Sequence, residues 1–412
     1  MKRAILHSDM NAYYASVEMM LDPGLRGKAI AVCGSTEERH GIVLAKSQLA
    51  KQAGVKTGMV NWEARQKCPG LIMVQPHYDQ YLKYSRMAQA IYQRYTDRVE
   101  PYGMDECWLD VTECQRAFGT GMEIAEAIRA TMREELGLTV SIGVAENKIF
   151  AKLGSDMKKP DAITEITAEN FREKVWPLPA SDLLYVGRAT TAKLLNFGIT
   201  TIGELAQVSP EIMKAKFGIN GLKLLMFARG EDKSQVMHMD FVSPIKSVGH
   251  GITCNADLLN SEEVWKVMLY LSQDIGHRLR LHDLAARGVQ ITIRDETLWF
   301  KQWQAPLLIA SQSPMEIALL ARRLFDQNYK WGKSVRSVTV RAINLVPKST
   351  PQQLLLFDDN IAREKRYRLE DTVDEIRGRF GPDALKSAAL MKGLKIADHS
   401  EHEVIMPGMM YG

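Results

Sequence analysis

Pro101-Tyr-Gly-Met-Asp-Glu-Cys-Trp-Leu-Asp-Val-Thr112 sets two adjacent carboxylates, Asp105 and Glu106, between two short runs of strand-forming residues. Tyr102 and Met104 precede the pair, and Trp108, Leu109 and Val111 follow it. The pattern predicts a β-hairpin with an acidic tip. Side chains alternate along a strand, so adjacent carboxylates ordinarily face opposite ways. At a hairpin bend the alternation can break, and both can then reach one cation. A third carboxylate, Asp9, ends the apolar-rich opening strand Arg3-Ala-Ile-Leu-His-Ser8. Three hard oxygen ligands suit Mg²⁺, which takes one or two carboxylates together with phosphate oxygens. Taken alone, Asp-Glu also reads as an ordinary polar turn.

The rest of the chain weighs between these readings. At 412 residues it has room for two to four domains, and a 46% hydrophobic content supports real cores rather than disorder. The net charge of +4 is too small to mark a nucleic-acid binder, but it is unevenly spread. Residues 241–350 carry 14 Lys and Arg against 9 Asp and Glu, which leaves the remainder at net −1. A basic module on a near-neutral body fits attachment to phosphate. The five cysteines, at 33, 68, 107, 114 and 254, show neither CxxC nor zinc spacing and read as reduced thiols of a cytoplasmic protein. No apolar run reaches 18 residues, so neither a signal peptide nor a membrane span is expected.

Along the chain, a helix from Asn11 to Met20, with Tyr14, Val17 and the following Leu21 on one face, follows the first strand. A small block then carries Lys46, Lys51 and Lys56, and a long helix runs from His77 to Arg98. After the hairpin come a helix over 121–135, the strand Thr139–Ala145 and a helix introduced by Asn147. One sheet with helices on one face, an α+β core, is expected. Residues 178–205 read as helices punctuated by glycine, with a turn at Val186-Gly187, like a helix-hairpin-helix whose second glycine is replaced by Ala189. Such a turn offers backbone N–H groups to DNA phosphate. An ordinary αα-hairpin remains the alternative. From 246 to 345 the order β-α-β-β-α-β is the ferredoxin-like split pattern. Arg278, Arg280, Arg287, Arg294, Lys301, Arg336 and Arg341 are spread across it. Beyond Pro347-Lys-Ser-Thr-Pro351 lies Gln353-Leu-Leu-Leu-Phe357. A charged segment follows, with Leu369, Val373, Ile376 and Phe380 at helical spacing.

Asp9, Tyr13-Tyr14, Met104-Asp-Glu106 and Ser141-Ile-Gly-Val-Ala-Glu-Asn-Lys-Ile-Phe-Ala-Lys-Leu-Gly-Ser-Asp-Met-Lys-Lys-Pro160 occur in one order. Together they resemble the Y-family (translesion) DNA polymerases, the group containing bacterial DNA polymerase IV and the catalytic subunit of polymerase V. The resemblance covers roughly residues 3–357. It implies a right-hand polymerase with a palm at 1–20 and 75–165, small fingers at 21–74 and a helical thumb at 166–229. A linker at 230–240, a split-βαβ little finger at 241–346 and a tail at 347–412 complete the layout.

The resemblance further implies templated addition of dNTPs to a primer 3′ end by two-magnesium phosphoryl transfer, at low fidelity, in DNA damage tolerance. Asp9, Asp105, Glu106 and the Met10 carbonyl would hold the ions, with Asp105 bridging them and Glu106 near the primer hydroxyl. Tyr14 would be the steric gate against ribose, beside Tyr13. Lys46, Lys51 and Lys159 would meet the triphosphate, although the fingers carry Gln48 and Lys51 where many relatives carry Tyr and Arg. Gly187, Lys193, Arg287, Arg294, Arg336 and Arg341 would contact primer-template DNA. Gln353, Leu354, Leu356 and Phe357 look like a sliding-clamp binding motif, an extended peptide with apolar anchors. Lys46 and the tail lean toward the polymerase V branch, whose members call on accessory damage-response proteins. A palm-type nucleotide cyclase and a catalytically silent DNA-binding accessory are the competing readings. The first needs neither the basic module nor the clamp peptide, and the second has no use for an intact acidic set.

Overall fold

In the computed structural model, which describes residues 2–37, 39, 41–351, 353 and 360–396, the opening strand is buried along its whole length. The described residues form two compact units. One holds the residues up to Gly34 and Ile42–Val242, and the other Ser35–Gly41 and the residues from Ser243 on.

The first unit begins with β1 (Ile5–Met10), α1 (Tyr13–Leu21), β2 (Ile30–Cys33), β3 (Val43–Lys46), α2 (Gln48–Gln52), α3 (Asn61–Lys67), β4 (Ile72–Val74) and α4 (Tyr78–Tyr92). It continues with β5 (Val99–Pro101), β6 (Glu106–Asp110), α5 (Gln115–Phe118), α6 (Gly121–Leu136), β7 (Val140–Ala145), α7 (Lys148–Met157) and β8 (Ile163–Ile166). Four helices close it: α8 (Phe171–Lys174), α9 (Arg188–Asn196), α10 (Ile202–Gln207) and α11 (Pro210–Ala228).

Five strands form one sheet in the order β5-β6-β1-β7-β8, with β1 antiparallel to both neighbours. Because alternate residues of β1 face opposite ways, it feeds two cores. Leu6 and Met10 join Leu109, Val140 and Ile142 beneath residues of α1, α4 and α6. Ile5 and Trp108 join Ile149, Phe150 and Leu153 of α7 on the other side, and this core continues into α9–α11. The expectation of helices on one face is therefore corrected. The run Lys148–Met157 is amphipathic and covers the second face, and Gly143 lets it approach. A Cβ at Gly143 would lie 1.9 Å from the Ala151 carbonyl oxygen. The long helix stops at Tyr92 rather than Arg98. In α1 Tyr13, Ala15, Val17 and Glu18 are buried, while Tyr14 is only half-buried and Leu21 is exposed.

The small block between α1 and α4 makes its own sheet, β3-β2-β4, over a core that includes Ala31, Val43 and Ala64. In the helical segment Gly187 precedes α9 with φ −82°, an ordinary value, and Ala189 lies inside the helix. The absent second glycine is thus not required. The α11 span is kinked at Gly218, where φ is +64°.

The second unit runs β9 (Val248–Leu258), α12 (Ser261–Leu281), β10 (Leu284–Asp295), β11 (Phe300–Ser311), α13 (Pro314–Asn328), β12 (Val335–Pro347) and α14 (Asn360–Phe380). The order β-α-β-β-α-β is as expected. In the sheet order β11-β10-β12-β9, α12 joins β9 to β10 across β12, and α13 joins β11 to β12 across β10. All neighbours are antiparallel. Both helices share one buried core with one face of the sheet. α14 docks on this unit through a polar stripe, with Val373 and Ile376 half-buried beside it. Arg363 reaches Glu316 at 2.8 and 2.9 Å, Glu370 accepts from Ser313 at 2.6 Å, and Asp374 accepts from Arg280 at 2.7 Å. Leu369 and Phe380 are exposed.

Candidate active site

The hairpin is where the acidic stretch predicts it. β5 and β6 pair antiparallel, with Pro101 opposite Cys107, and Gly103 takes a positive φ in the turn. The Tyr102 N–H donates to the Glu106 carbonyl at 2.8 Å. β6 then lies along β1 in a register that sets Asp9 directly opposite Glu106. The Met10 N–H donates to the Asp105 carbonyl at 2.9 Å, which ties the turn to the end of the opening strand.

Two cations from the α7 region lie among the carboxylates. Lys152 Nζ is 3.0 Å from Glu106, 3.3 Å from Asp9 and 3.0 Å from Asp156. Lys159 Nζ is 2.6 Å from Asp9 and 2.9 Å from Asp156. Behind Glu106 stands the fully buried His7, its Nε2 3.3 Å from Glu106 Oε2.

The electrostatics are those of a crowded acidic site. Burial, then the charges of Glu106 and Asp9, hold the Asp105 carboxyl up at about 7. Burial also raises Asp9; Lys159 opposes this and Glu106 adds to it. Glu106 goes the other way, down to about 2, because His7 and Lys152 outweigh its burial. Burial works against the charge on Lys152, but Glu106, Asp9 and Asp156 together raise its pKa.

The donor set therefore fits divalent cations in kind: all oxygen, anionic, and short of positive charge at Asp105. As placed, Asp9 and Glu106 are paired to lysines, and among the described residues no three acidic, histidine or cysteine side chains form a ready metal cage.

The aromatic residues form a second cluster. Tyr14 stacks on Tyr81 with centroids 4.1 Å apart and planes at 7°, and Tyr78 stands edge-on at 6.1 Å. Tyr81 is held in turn by the buried Glu18, and Tyr13 donates to the Tyr81 carbonyl. In the small three-stranded block, Lys46 ends β3 and donates to Thr57 Oγ1 at 2.9 Å. Burial, and then Lys51, lower its pKa. Lys51 is exposed in the last turn of α2, and Gln48 is exposed at its first position.

Gly187 and Lys193 are exposed at and within α9, whose first turn has no side-chain cap. In the second unit Arg294 and Arg341 project from the face of the sheet away from α12 and α13. Gly251 keeps β9 low there, since a Cβ on it would lie 2.2 Å from Thr339 Oγ1. Arg287 falls at an irregularity in the β10–β11 register and Arg336 at one in the β12–β9 register, the first exposed and the second half-buried. Arg278 and Arg280 are instead paired within the unit, to Asp274 and Asp374. Of the clamp-like motif, Gln353 is exposed, while Leu354, Leu356 and Phe357 lie outside the described residues.

Sequence reasoning assigned no role to Lys152, Asp156, His7 and Ser155. Lys152, Asp156 and Lys159 are spaced four and three apart at a helix end, which was a readable signal of one charged face. His7 shares Asp9's strand face, two residues earlier, a signal that becomes useful only once the neighbour of β1 is known.

A family model described as impB/mucB/samB family matches residues 8–156, and its C-terminal domain model matches 245–356. A model described as DNA polymerase-iota, thumb domain, matches 181–232. The chain is 48% identical over 392 residues to the DNA polymerase IV of Acetivibrio thermocellus, covering 95% of this chain and 98% of that protein. It is 36% identical over 392 residues to the DNA polymerase IV of Moorella thermoacetica, covering 95% and 96%. These relatives carry the polymerase IV name, so the lean toward the polymerase V branch gains no support from them. A solved Y-family DNA polymerase chimera superposes with a TM-score of 0.74 at 22% identity, over 84% of this chain and 99% of that one, which shows a shared fold.

Removing Lys152 tests its place in the charge balance. Lys152→Met is expected to cost about 1–3 kcal/mol of stability in EDTA, since it strands partly buried carboxylates. Millimolar magnesium should restore much of that loss. Thermal unfolding with and without magnesium reads both, and an unchanged Tm in EDTA would remove Lys152 from the site's balance.

Proposed function

The chain belongs to the Y-family DNA polymerases, within the impB/mucB/samB family, and from that premise we propose how its residues carry out templated nucleotide addition. It is a DNA-directed DNA polymerase of the translesion kind, like DNA polymerase IV. The register that sets Asp9 opposite Glu106, with Asp105 one residue away, carries the assignment of the catalytic centre. We assign primer-template DNA and dNTPs as substrates and two Mg²⁺ ions as the cofactor.

Phosphoryl transfer asks for in-line placement and charge neutralisation more than for covalent help. Bound magnesium supplies that neutralisation at the triphosphate and sharpens the primer 3′-hydroxyl as a nucleophile. Asp9, Asp105 and Glu106, with the Met10 carbonyl, are the groups that would hold the ions. Lys159, on the α7 side of Asp9, is the charge assigned to triphosphate oxygens, with Lys46 and Lys51 as point charges from the fingers. A lysine cannot make the bidentate fork that an arginine makes there.

Tyr14 is assigned as the gate beneath the sugar, beside Tyr13. Its face-to-face stack on Tyr81 holds the ring still, so a ribose 2′-hydroxyl meets an unyielding surface. In the thumb, the uncapped first turn of α9 leaves backbone N–H groups for a DNA phosphate, with Lys193 beside it. Arg287, Arg294, Arg336 and Arg341 are assigned to the DNA backbone, which gives affinity without reading sequence.

The small fingers, built on a three-stranded sheet, leave little protein to close over a nascent pair, which accords with low fidelity. Gln353-Leu-Leu-Leu-Phe357 is assigned to a bacterial sliding clamp, and damage-response accessory proteins are further partners on the family's pattern. The chain is assigned to the cytoplasm, where its DNA substrate would be met; among the described residues no helix is long and apolar enough to cross a membrane.

Primer extension with dNTPs and magnesium tests the centre. Asp105→Ala and Glu106→Ala should each lose activity by about 10³-fold while primer-template affinity stays within about threefold. Extension near the wild-type rate in either variant rejects the assignment. Tyr14→Ala should lower discrimination against ribonucleotides by on the order of 10²-fold, and an unchanged deoxy/ribo ratio refutes the gate. Replacing Leu356 and Phe357 by Ala should abolish stimulation by the clamp and spare basal extension; stimulation that survives would place clamp binding elsewhere.

A further inference from the structure

His7 takes part in none of the steps above, yet it is completely buried and lies two residues before Asp9 on β1. Its ring stands edge-on to Trp108 with centroids 5.1 Å apart, and Trp108 Nε1 donates to the Lys148 carbonyl at 2.9 Å. Packing thus fixes the plane of the imidazole. On one side, Nδ1 is 2.9 Å from Ser155 Oγ, which itself lies 2.7 Å from the Lys152 carbonyl. On the other side, Nε2 faces Glu106 Oε2 at 3.3 Å.

Both Nε2 and Oε2 are shut away from solvent, and among the described residues no well-aligned hydrogen bond satisfies either. Lys152 approaches the same Oε2 at 3.0 Å as an ion pair. Two buried polar atoms aimed at one another are tolerated when they pair. A carboxylate oxygen only accepts, so pairing needs the ring hydrogen on Nε2, and Nδ1 then accepts from the Ser155 hydroxyl, which turns its one hydrogen from the Lys152 carbonyl to the ring.

Glu106 is the site's longest carboxylate and the first residue after the turn, so its side chain has the most freedom to lose. We propose that His7, backed by Ser155, is a positioning residue that holds the Glu106 carboxylate in its cation-binding orientation. A rigid ring behind a ligand removes rotamers the ligand would otherwise sample before the ion arrives. Lys152 cannot do this, because its flexible ammonium is shared among Glu106, Asp9 and Asp156. The proposal rests on the assignment of Glu106 to the cation-binding set.

The two ring nitrogens can be tested apart, because an asparagine amide reaches about as far as Nδ1 and a glutamine amide about as far as Nε2. Full-length wild type, His7→Asn, His7→Gln and Glu106→Ala are compared by Mn²⁺ titration calorimetry without nucleotide, by single-nucleotide insertion kinetics and by thermal unfolding. His7→Asn should bind Mn²⁺ about tenfold more weakly or worse, and lose about 10–100-fold in kcat, with KM for the nucleotide within about threefold. His7→Gln should recover both losses to within about threefold.

Wild-type Mn²⁺ affinity and kcat in His7→Asn would overturn the proposal, and so would a His7→Gln as impaired as His7→Asn at equal Tm. If His7→Asn melts below the assay temperature, Ser155→Ala is read instead. A loss of about threefold or more in Mn²⁺ affinity then supports the proposal, and none overturns it. An active Glu106→Ala would mean that the carboxylate assignment itself fails. An inactive Glu106→Ala beside an unimpaired His7→Asn would sink only the role of His7.

Discussion

Mutual repulsion among carboxylates at the edge of one buried strand is the constraint on which the rest of this molecule depends. Asp9 and Glu106 are opposed in register, and Asp105 is close enough for both to raise its proton affinity. Such a group is costly in a site with little water unless positive charge stands nearby. Lys152 and Lys159 supply part of that charge, and both come from α7 and the residues just after it. Their reach depends on how near α7 comes to β7, which Gly143 allows. Backbone packing in the middle of the sheet therefore sets the charge balance at its end.

The same logic of fixed partners runs through the aromatic cluster. Glu18 is buried on α1, where an unpaired carboxylate would be expensive, and it is held by Tyr81 and His77. That anchors Tyr81, on which Tyr14 stacks. A polar network around Glu18 thus fixes the ring on which Tyr14, one turn earlier on the same face of α1, is stacked.

In the second unit, charge again does work that apolar spacing suggests is done by packing. Leu369, Val373, Ile376 and Phe380 fall at helical intervals, yet α14 is seated through Arg363, Tyr367, Glu370, Asp374 and Arg377. Those anchors repeat at three- and four-residue steps as faithfully as the apolar ones. Periodicity finds a face of a helix, but it does not say which of two faces has complementary partners waiting on α12 and α13.

Order and local chemistry were legible in the chain itself. The acidic hairpin, the β-α-β-β-α-β succession and the helix introduced by Asn147 follow from alternation, turn residues and capping, which act over a few residues. The family could be recognised from its motifs for the same reason: each is a short run whose residue types carry the chemistry. What those rules could not supply was which strands become neighbours. That Asp9 faces Glu106, that His7 stands behind it, that α7 covers the second face of the sheet and that Lys152 is drawn between two carboxylates were all decided by tertiary pairing. Such contacts join residues tens to more than a hundred positions apart, and their energies come from burial and Coulomb attraction at distances that only the folded chain creates.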